Sequence, residues 1–208
     1  MSREERNFDD EAASWDEQPG QVEFALELAS AIRVSIDLSP DMDVLDFGCG
    51  TGLLATELLP SVRSVTAADT SAGMLDVLNR KIATRSLANI RTALIGSDAM
   101  GGDYDLILCS LTLHHVEDVE GLLGDFHRMT AAVGRLCICD IDLDGGAFHE
   151  NRAGVFHDGF KRDSLSAMME AAGFVDIEAT TAMRLSRPGR DGAVRDFELF
   201  LMTGRKAS

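Results

Sequence analysis

The chain has 208 residues, 45% of them apolar and 26% charged, a size and balance that fit one globular domain burying its own core without disulfide or metal support. Its formal charge of −16 repels polyanions, so no nucleic-acid substrate is expected. No apolar run approaches the about 18 residues of a membrane span, and residues 1–10 lack the basic-then-apolar order of an export signal, so a cytoplasmic protein is expected.

Residues 21–36 predict a helix, with Phe24, Leu28 and Ile32 recurring four apart on one face. Ser39-Pro40-Asp41 breaks it. Residues 44–47 form a first predicted strand, followed by a glycine loop and a helix from 53 to 59. A second strand at 65–68 closes at Asp69, and a helix over 71–84 turns Met74, Leu75, Leu78 and Ile82 inward. Strands follow at 90–95 and 104–109, then a helix over 119–133 with Leu122, Phe126 and Met129 on one face, then a strand at 136–140. A helix over 163–172 stops at Gly173. Two last strands, 175–182 and 197–203, are joined by a short segment holding Pro188, Gly189 and Gly192, which suits antiparallel neighbours because a parallel crossover needs a dozen or more residues. The alternation predicts an α/β fold: a doubly wound seven-stranded sheet, mostly parallel, with one antiparallel strand near the C-terminus, in a single domain over residues 1–208.

Two segments do not read as core. Residues 1–20 are polar but carry Phe8 and Trp15, the one tryptophan, and are either a lid or disordered. Residues 142–161 mix glycines with Phe148, His149, Phe156, His157 and Phe160, as expected of a substrate-side loop at the carboxyl end of a strand. The four cysteines, Cys49, Cys109, Cys137 and Cys139, sit in or beside apolar runs without zinc-site spacing and read as buried thiols.

The sharpest signal is Asp46-Phe47-Gly48-Cys49-Gly50-Thr51-Gly52, between a strand and a helix. Glycines there allow a tight turn and close approach of a ligand. A dinucleotide fingerprint would place its third glycine where Leu53 stands, and no Lys-Ser/Thr follows for a phosphate loop. Asp69, at the end of the next strand, is placed to accept from two ribose hydroxyls, and Asp98, past the third strand, from an adenine amino group. Asp46, at the mouth of the loop, favours a cationic head group. Three carboxylates suit a ligand carrying a sulfonium and an ammonium, and suit a pyrophosphate poorly. The competing readings are structural: Asp69 and Asp98 as caps or turn formers, Asp46 held by its own loop.

The segment 44–52 resembles the first motif of the class I S-adenosylmethionine-dependent methyltransferases. Residues 104–116, Tyr-Asp-Leu-Ile-Leu-Cys-Ser-Leu-Thr-Leu-His-His-Val, resemble the fourth-strand motif of that superfamily, Gly134-Arg135-Leu136 its turn into the fifth strand and Ala172-Gly173-Phe174 a late turn. Phe8-Asp9, Ala12 and Trp15-Asp16 are similar to the opening of the branch that includes ubiquinone and menaquinone biosynthesis methyltransferases. The resemblance implies a Rossmann-like fold and S-adenosylmethionine as cofactor, with S-adenosylhomocysteine as product. It implies that Gly48, Cys49, Gly50 and Gly52 line the methionine part and that Asp69, with Thr70 and Met74 after it, serves the ribose side. Asp98, Ala99 and Met100 would flank the adenine, Ser110 and Leu111 would lie beneath the sulfonium, and Trp15 and Phe8 would close over the cofactor. The Asn/Asp-Pro-Pro-Tyr/Phe motif of base- and glutamine-directed enzymes is absent, Cys109-Ser110-Leu111-Thr112 standing in its place.

The expected activity is therefore methyl transfer to a small-molecule acceptor by in-line displacement. A base is needed only if the acceptor must lose a proton, and His114 and His115, just past the fourth strand, are the first candidates, ahead of His149 and His157. As neighbours on a helical turn they do not share a face, so one at most should reach substrate. Metal sets can be drawn from His114, His115 and Asp118 or from Asp140, Asp142 and Asp144, but a solvated acidic edge is the plainer reading of the latter, and no metal is expected. The alternatives to catalysis are a regulatory protein that binds the cofactor without turnover and, further off, an NAD-dependent oxidoreductase. No nucleic acid and no membrane span are expected as partners, and a homodimer is compatible with the sequence.

Overall fold

The computed structural model describes residues 7–97 and 100–207. After a short helix α1 (Phe8–Glu11) and a 3-10 turn over Ala12–Glu17, the elements are α2 (Gln21–Ser35), β1 (Asp43–Phe47), α3 (Leu53–Leu58), β2 (Ser64–Asp69), α4 (Ala72–Arg85), β3 (Ile90–Leu94), β4 (Tyr104–Ser110), α5 (Val119–Met129), β5 (Thr130–Ile141), α6 (Arg162–Ala171), β6 (Phe174–Pro188) and β7 (Val194–Lys206). The seven strands form one sheet in the order β3-β2-β1-β4-β5-β7-β6. The pairs from β3 to β5 are parallel, while β7 runs antiparallel to both β5 and β6. This is the Rossmann-like arrangement expected, with β7 as the reversed strand.

The sheet is apolar on both faces, as parallel strands sandwiched by helices require. Leu28, Ile32, Val44, Leu58, Val65, Leu78, Leu106 and Leu108 fill one side. Leu45, Ile107, Leu123, Phe126, Ile138, Leu165 and Phe200 fill the other. Within each strand the two sets alternate, so Leu106 and Leu108 face one layer and Ile107 the other. Helix starts follow local chemistry: Ser71 Oγ accepts from the Met74 amide to cap α4, and Asp118 Oδ1 from the Gly121 amide to cap α5. Helix α6 ends one residue before its cap at Ala172, and Gly173 follows at φ +103° as the stop.

Three expectations need correcting. The helix expected over 119–133 ends at Met129, and Thr130 already belongs to β5. Thr130 Oγ1 donates 2.7 Å to the Phe126 carbonyl, and a Cβ on Gly134 would lie 2.9 Å from the Tyr104 carbonyl, so this stretch is drawn tightly against β4 where a helix cannot go. Leu122, Phe126 and Met129 do share the second core layer, with Leu123 fully buried beside them. Residues 8–17 fold as α1 and the turn after it, residues 1–6 lying outside the described residues, and the β6–β7 connection is tighter than 186–193, because both strands run on to Pro188 and Val194. Among the described residues no helix is long and apolar enough to cross a membrane.

Candidate functional site

The carboxyl ends of β1, β2 and β4 meet at the glycine loop, the place where an open α/β sheet receives a ligand. Gly48, Gly50 and Gly52 all lie in the left-handed region, at φ +75°, +54° and +77°. The amides of Gly48 and Cys49 both donate to the Ala68 carbonyl of β2, at 2.8 and 3.0 Å, which fixes the loop to its neighbour strand. The three glycines serve different ends. A Cβ on Gly48 would stand 2.1 Å from Thr112 Oγ1, and one on Gly52 2.5 Å from a Leu78 methyl. A Cβ on Gly50 would meet nothing within 4 Å. Packing thus demands two of them, and the third presents bare backbone to open space.

Asp46 is 1% exposed, and neither of its carboxylate oxygens has a hydrogen-bond partner among the described residues. Burial, then the nearby charge of Asp69, push its pKa up to about 7, against a weaker opposing pull from the Ala55 amide. An orphaned buried carboxylate is costly unless something arrives to satisfy it. The reading of Asp46 as held by its own loop does not survive this.

Asp69 Oδ2 accepts from the Gly50 amide at 2.7 Å and Oδ1 from the Ser71 amide at 2.8 Å. Burial raises its pKa, while the amides of Ser71, Gly50 and Thr70 pull it back. With three amides against about four acceptor sites, the carboxylate keeps acceptor capacity to spare. Ser71, not Asp69, caps α4, so the helix-cap reading of Asp69 is replaced by a turn that spans from β2 to the glycine loop. Thr70 is exposed beside it, and Met74 is buried under the start of α4. Cys49 is half-buried, its thiol donating to the Gly50 carbonyl at 3.4 Å, with its pKa raised by burial and then by the charges of Asp46 and Asp69. Asp98 and Ala99 lie outside the described residues, and Met100 is half-buried against the second core layer.

The N-terminal segment is latched across this loop. Asp16 Oδ1 accepts from Thr51 Oγ1 at 2.5 Å and its other oxygen pairs with Lys81, which also donates 2.9 Å to the Thr51 carbonyl. Asp9 Oδ1 accepts from Ser71 Oγ at 2.5 Å and from the Gly73 amide at 2.8 Å, bonds that lower its pKa. Phe8 stands edge-on to Trp15 at 6.3 Å and to His115 at 5.5 Å. Asp9 and Asp16 entered the sequence reading only as part of the N-terminal resemblance, without a role, and Lys81 was not singled out. The helix N-terminus at Ser71, unpaired until something caps it, was the available signal for Asp9.

At the end of β4, half-buried Ser110 is followed by Leu111 at φ +47°, strained for a branched residue and held by its amide bonding to the Cys139 carbonyl at 2.8 Å. A 3-10 turn over Leu113–His115 comes next. His114 is 2% exposed, its Nδ1 2.7 Å from Asp140 Oδ1 and its amide 3.3 Å from Asp140 Oδ2, while Nε2 has no hydrogen-bond partner among the described residues. His115 Nδ1 meets the Gly154 carbonyl at 2.7 Å. Contrary to expectation, the two rings lie together, 4.2 Å between centroids, and His149 from the 142–161 loop joins them at 4.8 Å from His114. His157 is turned elsewhere, its Nε2 bonded to the Val116 carbonyl at 2.9 Å.

The acidic edge expected at Asp140, Asp142 and Asp144 is solvated only in part, Asp142 and Asp144 being half-buried. Asp140 is fully buried, Asp142 pairs with Arg162 at 2.8 Å, and Asp144 accepts from the Gly146 and Phe148 amides at 2.7 and 2.6 Å. The antiparallel β7 covers Asp140, and the folding back of the 142–161 loop engages the other two. Cys109, Cys137 and Cys139 are free buried thiols, as expected.

Residues 21–179 match the model of a methyltransferase domain family, and the chain belongs to that family. Its architecture is that of the class I S-adenosylmethionine-dependent methyltransferases, whose cofactor is S-adenosylmethionine. An uncharacterised methyltransferase of Schizosaccharomyces pombe is 27% identical over 155 residues, covering 66% of this chain and 55% of that protein. A demethylmenaquinone methyltransferase of Mycolicibacterium gilvum is 34% identical over 111 residues, 53% of this chain and 46% of that protein. The chain thus spans about half the length of these curated relatives. In fold it is similar to phosphoethanolamine N-methyltransferase 2 of Haemonchus contortus, solved with phosphomonomethylethanolamine and S-adenosylhomocysteine, at a TM-score of 0.70 and 17% identity, over 88% of this chain and 53% of that one.

Proposed function

We propose that this chain transfers the methyl group of S-adenosylmethionine to a small-molecule acceptor. The observation that carries the reading is Asp46, a buried carboxylate with no hydrogen-bond partner among the described residues, at the foot of a loop whose middle glycine faces open space. A ligand with an ammonium group satisfies Asp46, whereas a pyrophosphate would be repelled by Asp46 and Asp69 together. In this reading the backbone from Gly48 to Gly52 cradles the amino-acid tail and Asp69 grips the ribose with its remaining acceptor sites. Ser110 and Leu111 floor the reacting centre, and Phe8 and Trp15 cover it. When bound, the sulfonium supplies an already activated methyl carbon. What is left to the protein is alignment of the acceptor and exclusion of water, which the latched N-terminal segment and the 142–161 loop provide. The aromatic and histidine lining of that loop, Phe148 and His149 foremost, suits a small acceptor.

Titration calorimetry with S-adenosylhomocysteine and with NAD tests the cofactor half: binding of the first alone is expected, and binding of NAD, or of neither, overturns the reading. Incubation with methyl-labelled S-adenosylmethionine and a cell extract tests the acceptor half. Label is expected in the low-molecular-weight fraction, and label confined to protein or nucleic acid refutes a small-molecule acceptor.

A further inference from the structure

We infer that His114 and Asp140 form a buried proton-accepting pair that serves an oxygen or carbon acid as acceptor, a group that must lose a proton to become a nucleophile. The inference rests on the methyltransferase reading above. Its ground is the asymmetry of the His114 ring. Nδ1 is fixed 2.7 Å from a carboxylate oxygen of Asp140, which is itself wholly buried and further held by the Ile141 amide at 2.8 Å. That carboxylate accepts the Nδ1 proton and so leaves Nε2, on the other side of the ring, with its lone pair free. Nε2 is buried and has no hydrogen-bond partner among the described residues, an arrangement that wastes a polar group unless something comes to use it.

The pair is well placed for that use. His114 lies two residues after Thr112, whose hydroxyl donates to the Gly48 carbonyl at 3.4 Å, so the turn that carries His114 is tied at its start to the glycine loop. Its backbone carbonyl accepts from the Phe156 and His157 amides at 3.0 and 3.2 Å, which ties it to the substrate-side loop. The titratable groups facing it are Asp140 from β5, His115 on its own turn and His149 from the loop, with the thiols of Cys109 and Cys139 nearby kept protonated by burial and then by the Asp140 charge. In the step, the acceptor's proton passes to Nε2. The electron pair it leaves forms the new bond to the methyl carbon, and the carbon–sulfur bond breaks with its pair retained on sulfur. Asp140 stabilises the imidazolium, and the proton goes to solvent with product release. His114 is the catalytic base and Asp140 a positioning residue.

The test pairs a spectroscopic readout with a graded acceptor set. In ¹⁵N-labelled protein, the ring of His114 is expected as the Nδ1-protonated tautomer, and Asp140→Asn, whose amide donates instead, is expected to move the proton to Nε2. Unchanged nitrogen shifts in that variant overturn the pairing. Labelled methyl transfer is then followed with a weakly acidic phenol, a nitrophenol ionised above neutral pH, a 1,3-diketone, an aliphatic amine and a thiol. Wild-type turnover of the phenols or the diketone is expected, with His114→Gln and Asp140→Asn losing about 10²–10⁴-fold on the weak phenol and recovering most of it on the ionised nitrophenol. A purely structural role lowers both phenols alike, and that result overturns the proposal, as does turnover restricted to amine or thiol or absent from the whole set. Calorimetric binding of S-adenosylhomocysteine to each variant verifies folding. Its loss in the wild type defeats the cofactor reading instead, so the two failures are separable.

Discussion

Thr51 Oγ1 donates a 2.5 Å hydrogen bond to Asp16 Oδ1, and so the glycine loop and the N-terminal segment are one mechanical unit although 35 residues separate them. Lys81 completes the latch from α4, bonding both Asp16 and the Thr51 carbonyl. The contact joins the segment that carries Phe8 and Trp15 to the glycine loop.

Asp16→Ala is expected to free that segment while leaving the sheet intact. Trp15 is the one tryptophan of the chain and half-buried, so its fluorescence reports on the latch alone. A red-shifted emission, faster amide exchange over residues 8–17 and an affinity for S-adenosylhomocysteine lowered on the order of tenfold, the worth of one or two charge-assisted bonds, are the expected outcomes. Emission identical to the wild type would show that the latch does not hold the segment.

The sheet was legible from the sequence because its signals are local: β-branched and apolar runs closing at Asp69 or just before Gly96, and helices that begin at Ser71 or Asp118. The glycine loop and Asp69 were legible for the same reason. Asp140 was misread because its burial is a consequence of β7, which arrives some sixty residues later and pairs Asp140 with Phe200. Its neighbours Asp142 and Asp144 look identical in sequence but face a loop that folds back on them. The His114–His115–His149 cluster likewise depends on where the 142–161 loop comes to rest, and the partners of Asp9 and Asp16 lie on other elements. Residues whose role is set by long-range packing carry no mark of it in their own segment.

The unequal duties of the three glycines give a second prediction. Gly50→Val should cost about 1–3 kcal/mol of stability, from the left-handed conformation forced on a β-branched residue. The variant should remain folded and lose S-adenosylhomocysteine binding, because its side chain occupies the open face of the loop. Gly48→Val should fail at folding instead, since its side chain has nowhere to go against Thr112. Melting curves and calorimetry on the two variants separate a glycine kept for a ligand from one kept for packing. If Gly50→Val binds normally, the ligand does not approach that face.

Asp69 predicts a third outcome. Asp69→Ala removes the acceptor for the Gly50 and Ser71 amides together with the proposed ribose contact, and cofactor affinity should fall about 10²-fold or more, the loss of two hydrogen bonds to a charged acceptor. Calorimetry with adenosine in place of S-adenosylhomocysteine should show a similar loss, because the ribose contact is common to both. Unchanged adenosine binding in the variant would assign Asp69 to the loop alone.

Asp46 ties pH, stability and binding together. Its folded pKa of about 7 stands above the ordinary 3.8, so across that interval the folded chain holds a proton that the unfolded chain has released. Its contribution to stability is therefore most favourable below pH 4, declines as pH rises and levels off above about 7. Asp46→Asn removes the penalty and should stabilise the ligand-free protein at neutral pH, by about 4 kcal/mol at the upper limit set by a shift of roughly three units. The same substitution should cost binding. In the wild type an ammonium-bearing ligand draws Asp46 into its ionised form, so affinity for S-adenosylhomocysteine should rise with pH up to about 7, accompanied by release of a fraction of a proton. In Asp46→Asn affinity should be lower and its pH dependence over that range flat. Denaturant curves against pH and calorimetry in buffers of different ionisation enthalpy measure both effects. A variant that is stabilised yet keeps the wild-type pH dependence of binding would place the ammonium site elsewhere in the crevice.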